Sequence, residues 1–162
     1  MVLLVSSSLR NKECGDLIHR LTGEVVRCVR DLGQGVEELR RGEFAAVAVD
    51  QHFWDMNPRL ADRMVQGCGT AALVLISVAV SGVERVAREV GAGLRRREGE
   101  LRRAREDAET RLRTELNEAV TGILLSSELA LASPGMPAPA AAKIRSVYEL
   151  AMSIRERLGG NA

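Results

Sequence analysis

Short apolar runs alternate with polar, amphipathic stretches over the first half of the chain. Four of the apolar runs are rich in valine and alanine, and they are Val2–Ser6, Glu24–Val29, Phe44–Asp50 and Ala72–Val78. Such nearly unbroken apolar runs suit strands of a parallel sheet that is covered by helices on both faces. The stretches between them repeat apolar residues at helical spacing, at Asn11–Leu21, Val36–Arg41 and Pro58–Gln66. The pattern therefore predicts β-α-β units in an α/β domain over residues 1–82.

After Ser81 the strand pattern disappears, and an arginine- and glutamate-rich helical pattern continues to Leu131. Apolar or small residues recur there every three or four positions, at Leu101, Ala104, Ala108, Leu112, Leu116, Ala119, Ile123, Ser126 and Ala130. Three successive spacings of four from Ala104 to Leu116 form a stutter, which locally unwinds a coiled coil. Residues 83–113 are therefore predicted to be a helical linker or coiled coil.

The stretch Ser133–Pro139 must interrupt this helix, because it holds three prolines and a glycine. A second helical pattern follows, and Gly159 and Gly160 end it. A hairpin of two helices cannot bury its single apolar stripe alone. We therefore expect residues 114–162 to form a hairpin domain that pairs with a second copy in a dimeric four-helix bundle. The first helix of this hairpin is expected to start earlier, near residue 94. The predicted dimer seam consists of Leu112, Leu116, Ala119, Ile123, Ile144, Val147, Ala151, Ile154 and Leu158.

Composition narrows the choice of function. The net charge is +1 and aromatic residues make up 2% of the chain, which argues against nucleic acid as a partner. No secretory signal core is found, and no apolar segment approaches the roughly 20 residues of a membrane span. We therefore expect a cytoplasmic protein that binds other proteins and no membrane. The three cysteines lack metal-ligand spacing, and the sequence suggests no resident metal or cofactor.

The segment Arg113–Leu131 reads R-T-E-L-N-E-A-V-T-G-I-L-L-S-S-E-L-A-L. It resembles the first helix of the dimerisation and phosphotransfer domain of histidine kinases, with Glu115-Leu116-Asn117 and Ala119–Leu124 in step. The resemblance places Thr114 where that family has its phosphorylated histidine, and threonine has no imidazole nitrogen to phosphorylate. No glycine-rich nucleotide box follows the segment. The resemblance therefore implies a degenerate domain that is not an enzyme.

The same resemblance implies a surface that docks a response regulator or a histidine kinase. This docking surface consists of Thr114, Glu115, Asn117, Glu118, Thr121 and Gly122. The alternative is that these are ordinary exposed helix residues, with Gly122 at a place where helices approach closely. A motif match stays a hypothesis until its structural context is known.

An aspartate ends the third predicted strand, in the run F-A-A-V-A-V-D at Phe44–Asp50. This order resembles a response-regulator receiver domain, a flavodoxin-like fold whose phosphoacceptor stands at that place. The resemblance makes Asp50 a possible phosphoacceptor and Ser6 and Ser77 possible residues of its pocket. The alternative for Asp50 is a strand-end residue that accepts hydrogen bonds from loop amides.

The receiver resemblance is incomplete. Receivers hold Mg²⁺ with two acids after their first strand, where this chain has Ser6-Ser7-Ser8, and hydroxyls bind Mg²⁺ poorly. The sequence shows no fifth strand, so it also lacks a counterpart of the lysine that receivers carry on that strand. We therefore expect a truncated receiver-like domain, with Mg²⁺ required only if Asp50 is phosphorylated.

The stretch Gln51–Met56 is predicted to be a loop and is unusually apolar. It follows the carboxyl end of a strand, where partners bind α/β sheets, so Phe53 and Trp54 are candidates for a protein contact. Alternatively, the two rings fold back to cap the sheet or pack on the long helix.

Together these patterns favour a homodimeric, non-catalytic signalling module of the two-component type. Two alternatives stay open. One is a phosphorelay intermediate that is phosphorylated on Asp50, and the other is a coiled-coil scaffold protein.

Overall fold

The computed structural model describes residues 1–159, except for the side chain of Ala79. The chain forms two compact units, of which the first is Met1–Arg102 and the second begins at Arg103. The first strands and helices are β1 (Val2–Val5), α1 (Asn11–Thr22), β2 (Val26–Val29), α2 (Leu32–Arg41) and β3 (Ala46–Asp50). They are followed by α3 (Gln51–Met56), α4 (Pro58–Cys68), β4 (Ala72–Ile76), α5 (Val78–Ser81), α6 (Val83–Leu131) and α7 (Ala138–Gly159). The protein is thus an α/β protein with a small parallel sheet, a long helix and a C-terminal helix.

The four predicted strands are confirmed, and they form one parallel sheet in the order β2-β1-β3-β4. The central strand β1 pairs Val5 with Val29 of β2 on one side and with Val49 of β3 on the other. All four carboxyl ends therefore lie at one end of the sheet. The direction of strand order reverses between β1 and β3, which is where ligands bind in open α/β sheets.

Helices cover both faces of this sheet. Side chains of β1 alternate between the faces, and Val2, Leu3, Leu4 and Val5 are all fully buried. Val2 and Leu4 pack with α1 and the first turns of α6, whereas Leu3 and Val5 pack with α2, α3 and α4. This double burial explains why the strands read as continuous apolar runs.

The first turns of α6 belong to the sheet unit. Val83, Val86, Ala87 and Val90 follow helical spacing and are buried against the sheet. The predicted boundary after residue 82 coincides with the start of this helix, but the compact unit extends to Arg102. The reason is that these helical turns supply the cover that one face of the sheet needs.

The predicted loop Gln51–Met56 is wrong, because these residues form helix α3. The Asp50 side chain caps this helix, since its Oδ1 accepts a hydrogen bond from the His52 backbone N–H at 3.3 Å. A helix of six residues is too short to show a periodic pattern. Phe53 and Trp54 are half-buried against the core on the α2 and α4 face, so they cap the sheet.

The second unit is a hairpin made by the rest of α6 and by α7. Its core consists of Val120, Leu124 and Ala151, with Tyr148, Met152 and Leu158 packed around them. Helix α6 is unbroken from Val83, so the hairpin's first helix has no separate start near residue 94. Gly160, which is predicted to end α7 together with Gly159, lies outside the described residues. No helix within residues 1–159 is long and apolar enough to cross a membrane.

Candidate functional site

The carboxyl ends of β1 and β3 bring Ser6 and Asp50 together. Ser6 directly follows β1 and is fully buried, and Asp50 ends the neighbouring strand β3 and is half-buried. The Ser6 hydroxyl donates a hydrogen bond to Oδ2 of Asp50 at 3.1 Å. Two of the three residues predicted for a receiver-like pocket are therefore in direct contact.

Both carboxylate oxygens of Asp50 accept hydrogen bonds from this end of the sheet. Oδ2 accepts from Ser6, and Oδ1 accepts from the His52 backbone N–H. The Ser6 hydroxyl in turn accepts a bond from the backbone N–H of Ser8 at 3.2 Å. The geometry is that of a strand-end aspartate that orders the adjacent chain. We call Ser6, Ser8, Asn11 and Asp50 the strand-end cluster.

Ser77 lies at the same end of the sheet without joining this cluster. Asp50 pairs with Ile76 in the sheet, and Ser77 is the next residue along the chain. Its carbonyl oxygen accepts a hydrogen bond from the Ser81 N–H at 2.8 Å, which helps form the short helix α5. No hydrogen bond within the described residues joins Ser77 to Asp50.

Asn11 is the member of the cluster that sequence reasoning missed. Its Nδ2 donates to the carbonyl oxygens of Ser6 at 2.8 Å and Val29 at 3.2 Å, which ties the ends of β1 and β2 to the start of α1. The residue is 9% exposed, and its Oδ1 is buried without a hydrogen-bond partner in the part of the chain that the structure describes. An asparagine a few residues after three serines is a weak signal for such a role in the sequence, because the hydrogen bonds of Asn11 depend on β1 and β2 being neighbours.

The strand-end cluster contains one carboxylate. Mg²⁺ prefers carboxylate oxygens to hydroxyls, and both oxygens of this one carboxylate already accept hydrogen bonds, from Ser6 and from the His52 N–H. Across residues 1–159 no group of three or more His, Cys, Asp or Glu side chains is placed to hold a metal ion. The residues present therefore fit a resident Mg²⁺ poorly.

Cys14 is not suited to act as a nucleophile. Cys14 is fully buried in the sheet core, and burial raises the pKa of its thiol to about 11. A thiol with this pKa is almost entirely protonated at neutral pH, and the thiolate is the reactive form.

In the second unit, all six residues of the docking surface are exposed. The hydroxyls of Thr114 and Thr121 donate back to the carbonyl oxygens of Thr110 at 3.0 Å and Asn117 at 2.8 Å. These bonds are the usual way in which threonine is accommodated inside a helix. The groups that this helix presents to a partner are therefore mainly the side chains of Glu115, Asn117 and Glu118.

The dimer seam is largely uncovered in the single chain. Ala151 is buried inside the hairpin and Ile144 and Leu158 are half-buried, while the other seam residues are exposed. The exposed fraction is 59% for Leu112, 49% for Leu116, 44% for Ile123 and 47% for both Val147 and Ile154. The hairpin's own core instead uses Val120 and Leu124, which lie beside the seam on α6.

An open groove runs between the two helices on this uncovered side. It encloses about 450 Å³ and is lined mainly by Ala119, Gly122, Ile123, Ile144 and Val147. A Cβ placed on Gly122 would meet nothing within 4 Å, so close packing inside the chain does not require this glycine. The groove is therefore an apolar surface that a single hairpin leaves open.

Two polar contacts join the helices of the hairpin. Arg113 donates to the carbonyl oxygen of Leu158, and the Tyr148 hydroxyl donates to a carboxylate oxygen of Glu128 at 3.1 Å. The hydrogen bond to Glu128 raises the pKa of the Tyr148 phenol, because a nearby carboxylate that accepts this bond stabilises the protonated phenol. These contacts fix how the two helices pair and leave the docking surface untouched.

Comparisons with known proteins found no relative of this chain. No protein-family model matches the chain, and neither the curated proteins nor the solved structures contain a significant match.

Replacing Asn11 with aspartate is expected to lower the free energy of unfolding of the first unit by about 1–3 kcal/mol at pH 7, because a carboxylate cannot donate to the two carbonyl oxygens. The loss should shrink as the pH falls, since a protonated carboxyl can donate one bond. Urea unfolding monitored by the fluorescence of Trp54, the one tryptophan of the chain, reports on this unit. The control is Asn57→Asp at the N-cap of α4, where the substitution removes one exposed hydrogen bond, to the Phe53 carbonyl oxygen at 3.4 Å, that water can replace. Equal losses in the two variants would contradict the role of Asn11.

Proposed function

We propose that the chain is a homodimeric, non-catalytic two-component signalling module whose hairpin binds a receiver or kinase partner. The observation that carries this proposal is the position of the R-T-E-L-N-E-A-V-T-G-I-L run. The six docking-surface residues of this run are exposed on one helix of a two-helix hairpin, whereas Val120 and Leu124 of the same run form the hairpin's core. A cytoplasmic location, where such partners act, belongs to the same proposal.

The uncovered dimer seam supports pairing with a second copy. Of its exposed members, Ala119, Ile123 and Val147 line one apolar groove between the two helices. Leu112, Leu116 and Ile154 are exposed apolar positions of the same predicted stripes on α6 and α7, so one two-fold interface can cover the set. Burial of apolar surface stabilises an association by about 25 cal/mol per Å² before the entropic cost of binding. A symmetric bundle of two hairpins is the usual arrangement for such stripes.

The surroundings of Thr114 support a binding role over phosphotransfer. Thr114 is exposed, and its hydroxyl is hydrogen-bonded to its own helix. The adjacent Glu115 has no imidazole beside it to polarise. A helix surface that has the other residues of the motif but no nucleophile is suited to binding a protein partner.

The strand order supports a receiver-like, flavodoxin-like identity for the first unit. The parallel order β2-β1-β3-β4 agrees with the first four strands of the doubly wound order 2-1-3-4-5. An aspartate at the end of β3, beside β1, has the position of a receiver's phosphoacceptor. After β4 the chain continues into α5 and α6, so this receiver-like domain is a truncated one.

The contact between Ser6 and Asp50 favours a second candidate function, a phosphorelay intermediate. Asp50 lies at the reversal of strand order and is half-buried beside a hydroxyl. Phosphorylation there would break the bond from Ser6 and disturb the cap of α3. The first proposal ranks higher, because the strand-end cluster fits Mg²⁺ poorly.

The double variant Ile123→Glu with Val147→Glu is expected to be monomeric at micromolar concentration, because two carboxylates would have to be buried in the bundle. At the same micromolar concentration, multi-angle light scattering should show a dimer for the native chain. The control is Leu129→Glu with Leu150→Glu, at leucines that are 73% and 65% exposed and do not line the groove. A monomeric native chain, or equal effects of the two variants, would contradict the bundle.

The double variant Glu115→Ala with Asn117→Ala is expected to weaken binding to a response-regulator receiver domain by about tenfold or more, as the loss of central interface contacts usually does. Calorimetry against a panel of purified receiver domains measures the effect, with Glu109→Ala on the same helix as the control. Binding that the double variant leaves unchanged would sink the docking surface. Self-association without binding to any receiver or kinase would favour the scaffold alternative.

Incubation with acetyl phosphate and Mg²⁺ is expected to add no phosphoryl group, because the strand-end cluster offers Mg²⁺ one carboxylate. Intact-mass spectrometry detects an adduct directly. A single adduct that is lost in Asp50→Asn and kept in the control Asp55→Asn, at an exposed aspartate of α3, would overturn the first proposal in favour of the phosphorelay.

A further inference from the structure

The two edge strands of the sheet differ in how they are protected. Strand β2 reads V-R-C-V, and its Arg27 forms an ion pair with Glu38 of α2 at 2.7 Å. Strand β4 reads A-L-V-L-I and carries no charge and no proline. Edge strands in monomeric proteins are usually blunted by charges, prolines or bulges, and an unprotected apolar edge is prone to pair with another strand.

The free backbone groups of β4 are those of Leu73 and Leu75. The Ala72 N–H donates to the carbonyl oxygen of Ala45 at 3.0 Å, on the side of β3. Because backbone groups alternate along a strand, Val74 also faces β3, and Leu73 and Leu75 direct their N–H and C=O groups outward. No strand lies beyond β4 in the part of the sheet that the structure describes. The side chains of Leu73 and Leu75 are 36% and 43% exposed.

A groove of about 450 Å³ lies along this edge, between β4 and the part of α6 that belongs to the first unit. Gly93 of α6 faces Val74 so closely that an added Cβ would lie 2.7 Å from its Cγ2. Four residues further along, Arg97 donates to the carbonyl oxygen of Thr70 at 2.7 Å. Helix α6 therefore runs antiparallel to β4, with Gly93 beside the middle of the strand.

We propose that this edge pairs with the β4 edge of a second copy, antiparallel and about a two-fold axis near Val74. In that register Leu73 of one copy faces Leu75 of the other, and each such pair exchanges two N–H···O bonds. Two copies of the strand are complementary in this register, because the outward N–H and C=O groups of Leu73 and Leu75 lie symmetrically about Val74. The exposed leucines of the two copies then cover each other on one face of the joined sheet.

The charges beside the groove are also self-complementary. Arg96 lines the groove, and Glu89 lies two turns earlier on the same stripe of α6, where one of its oxygens accepts a bond from Arg85 of the same helix at 2.9 Å. They stand on opposite sides of Gly93, at nearly equal separations along the chain. A two-fold axis near Val74 therefore brings Glu89 of one copy toward Arg96 of the other, twice in the interface. This complementarity favours a second copy over an unrelated extended peptide, which would have to supply it by chance.

Amide hydrogen exchange of the full chain, resolved by residue with NMR, tests the pairing. The Leu73 and Leu75 amides should be protected by about tenfold or more over an unpaired edge. Val74 is the internal reference, because its amide is already bonded within the sheet. In Leu75→Lys, the Leu73 amide should lose its protection while Val74 keeps it. The control Leu129→Lys, on the hairpin, should change neither.

The variant Ile123→Glu with Val147→Glu separates this proposal from the bundle. If that variant is monomeric at micromolar concentration, protection of Leu73 and Leu75 should still appear as its concentration is raised. Unprotected Leu73 and Leu75 amides at the highest concentration, beside a protected Val74, would overturn the pairing whatever the hairpin does. Protection that appears only when an extended peptide is added would overturn it in favour of a different partner.

Discussion

A parallel sheet has to be covered on both faces, and this requirement determines how the first 102 residues are used. Helices α2, α3 and α4 cover one face, whereas α1 leaves room on the other. The first turns of α6 fill that room, with Val83, Val86 and Val90 buried against the sheet. Gly93 then allows the helix to lie directly on β4. The start of the long helix is thus a part of the sheet unit's core.

The same parallel arrangement creates the strand-end cluster. Because every strand runs in one direction, the residues that follow β1 and β3 meet at one end of the sheet, and Ser6 reaches Asp50 there. Asn11 completes the arrangement by joining the ends of β1 and β2 to α1. Each of these side chains forms at least one hydrogen bond within the cluster or to the backbone, although Oδ1 of Asn11 has no partner among the described residues. The cluster is therefore well suited to ordering the chain at this end of the sheet, whatever else Asp50 does.

The sequence was sufficient for the elements whose pattern is long or strongly apolar. The four strands, the long helix and the break after Leu131 follow from burial on both faces, helical spacing and proline. Helix α3 was missed because six residues show no period, and Asn11 because its partners come from neighbouring strands. In the hairpin, periodicity predicted a dimer seam, which stays a prediction, but it did not indicate that the neighbouring positions on α6 form the internal core. Val120 and Leu124 lie one step around the helix from the predicted seam and form the internal core.

Both resemblances fail at positions that carry the chemistry in the families that the chain resembles. The helix that resembles a phosphotransfer helix has Thr114 in place of the nucleophile, and the strand-end cluster has serines where a receiver has its metal-binding acids. In both units, hydroxyl side chains stand at the positions that the resemblances match to residues carrying out the chemistry. Hydroxyls keep the polarity and hydrogen bonding of such positions without supplying a phosphorylatable nitrogen or strong Mg²⁺ ligands. Under the proposed function, these two positions support recognition over catalysis.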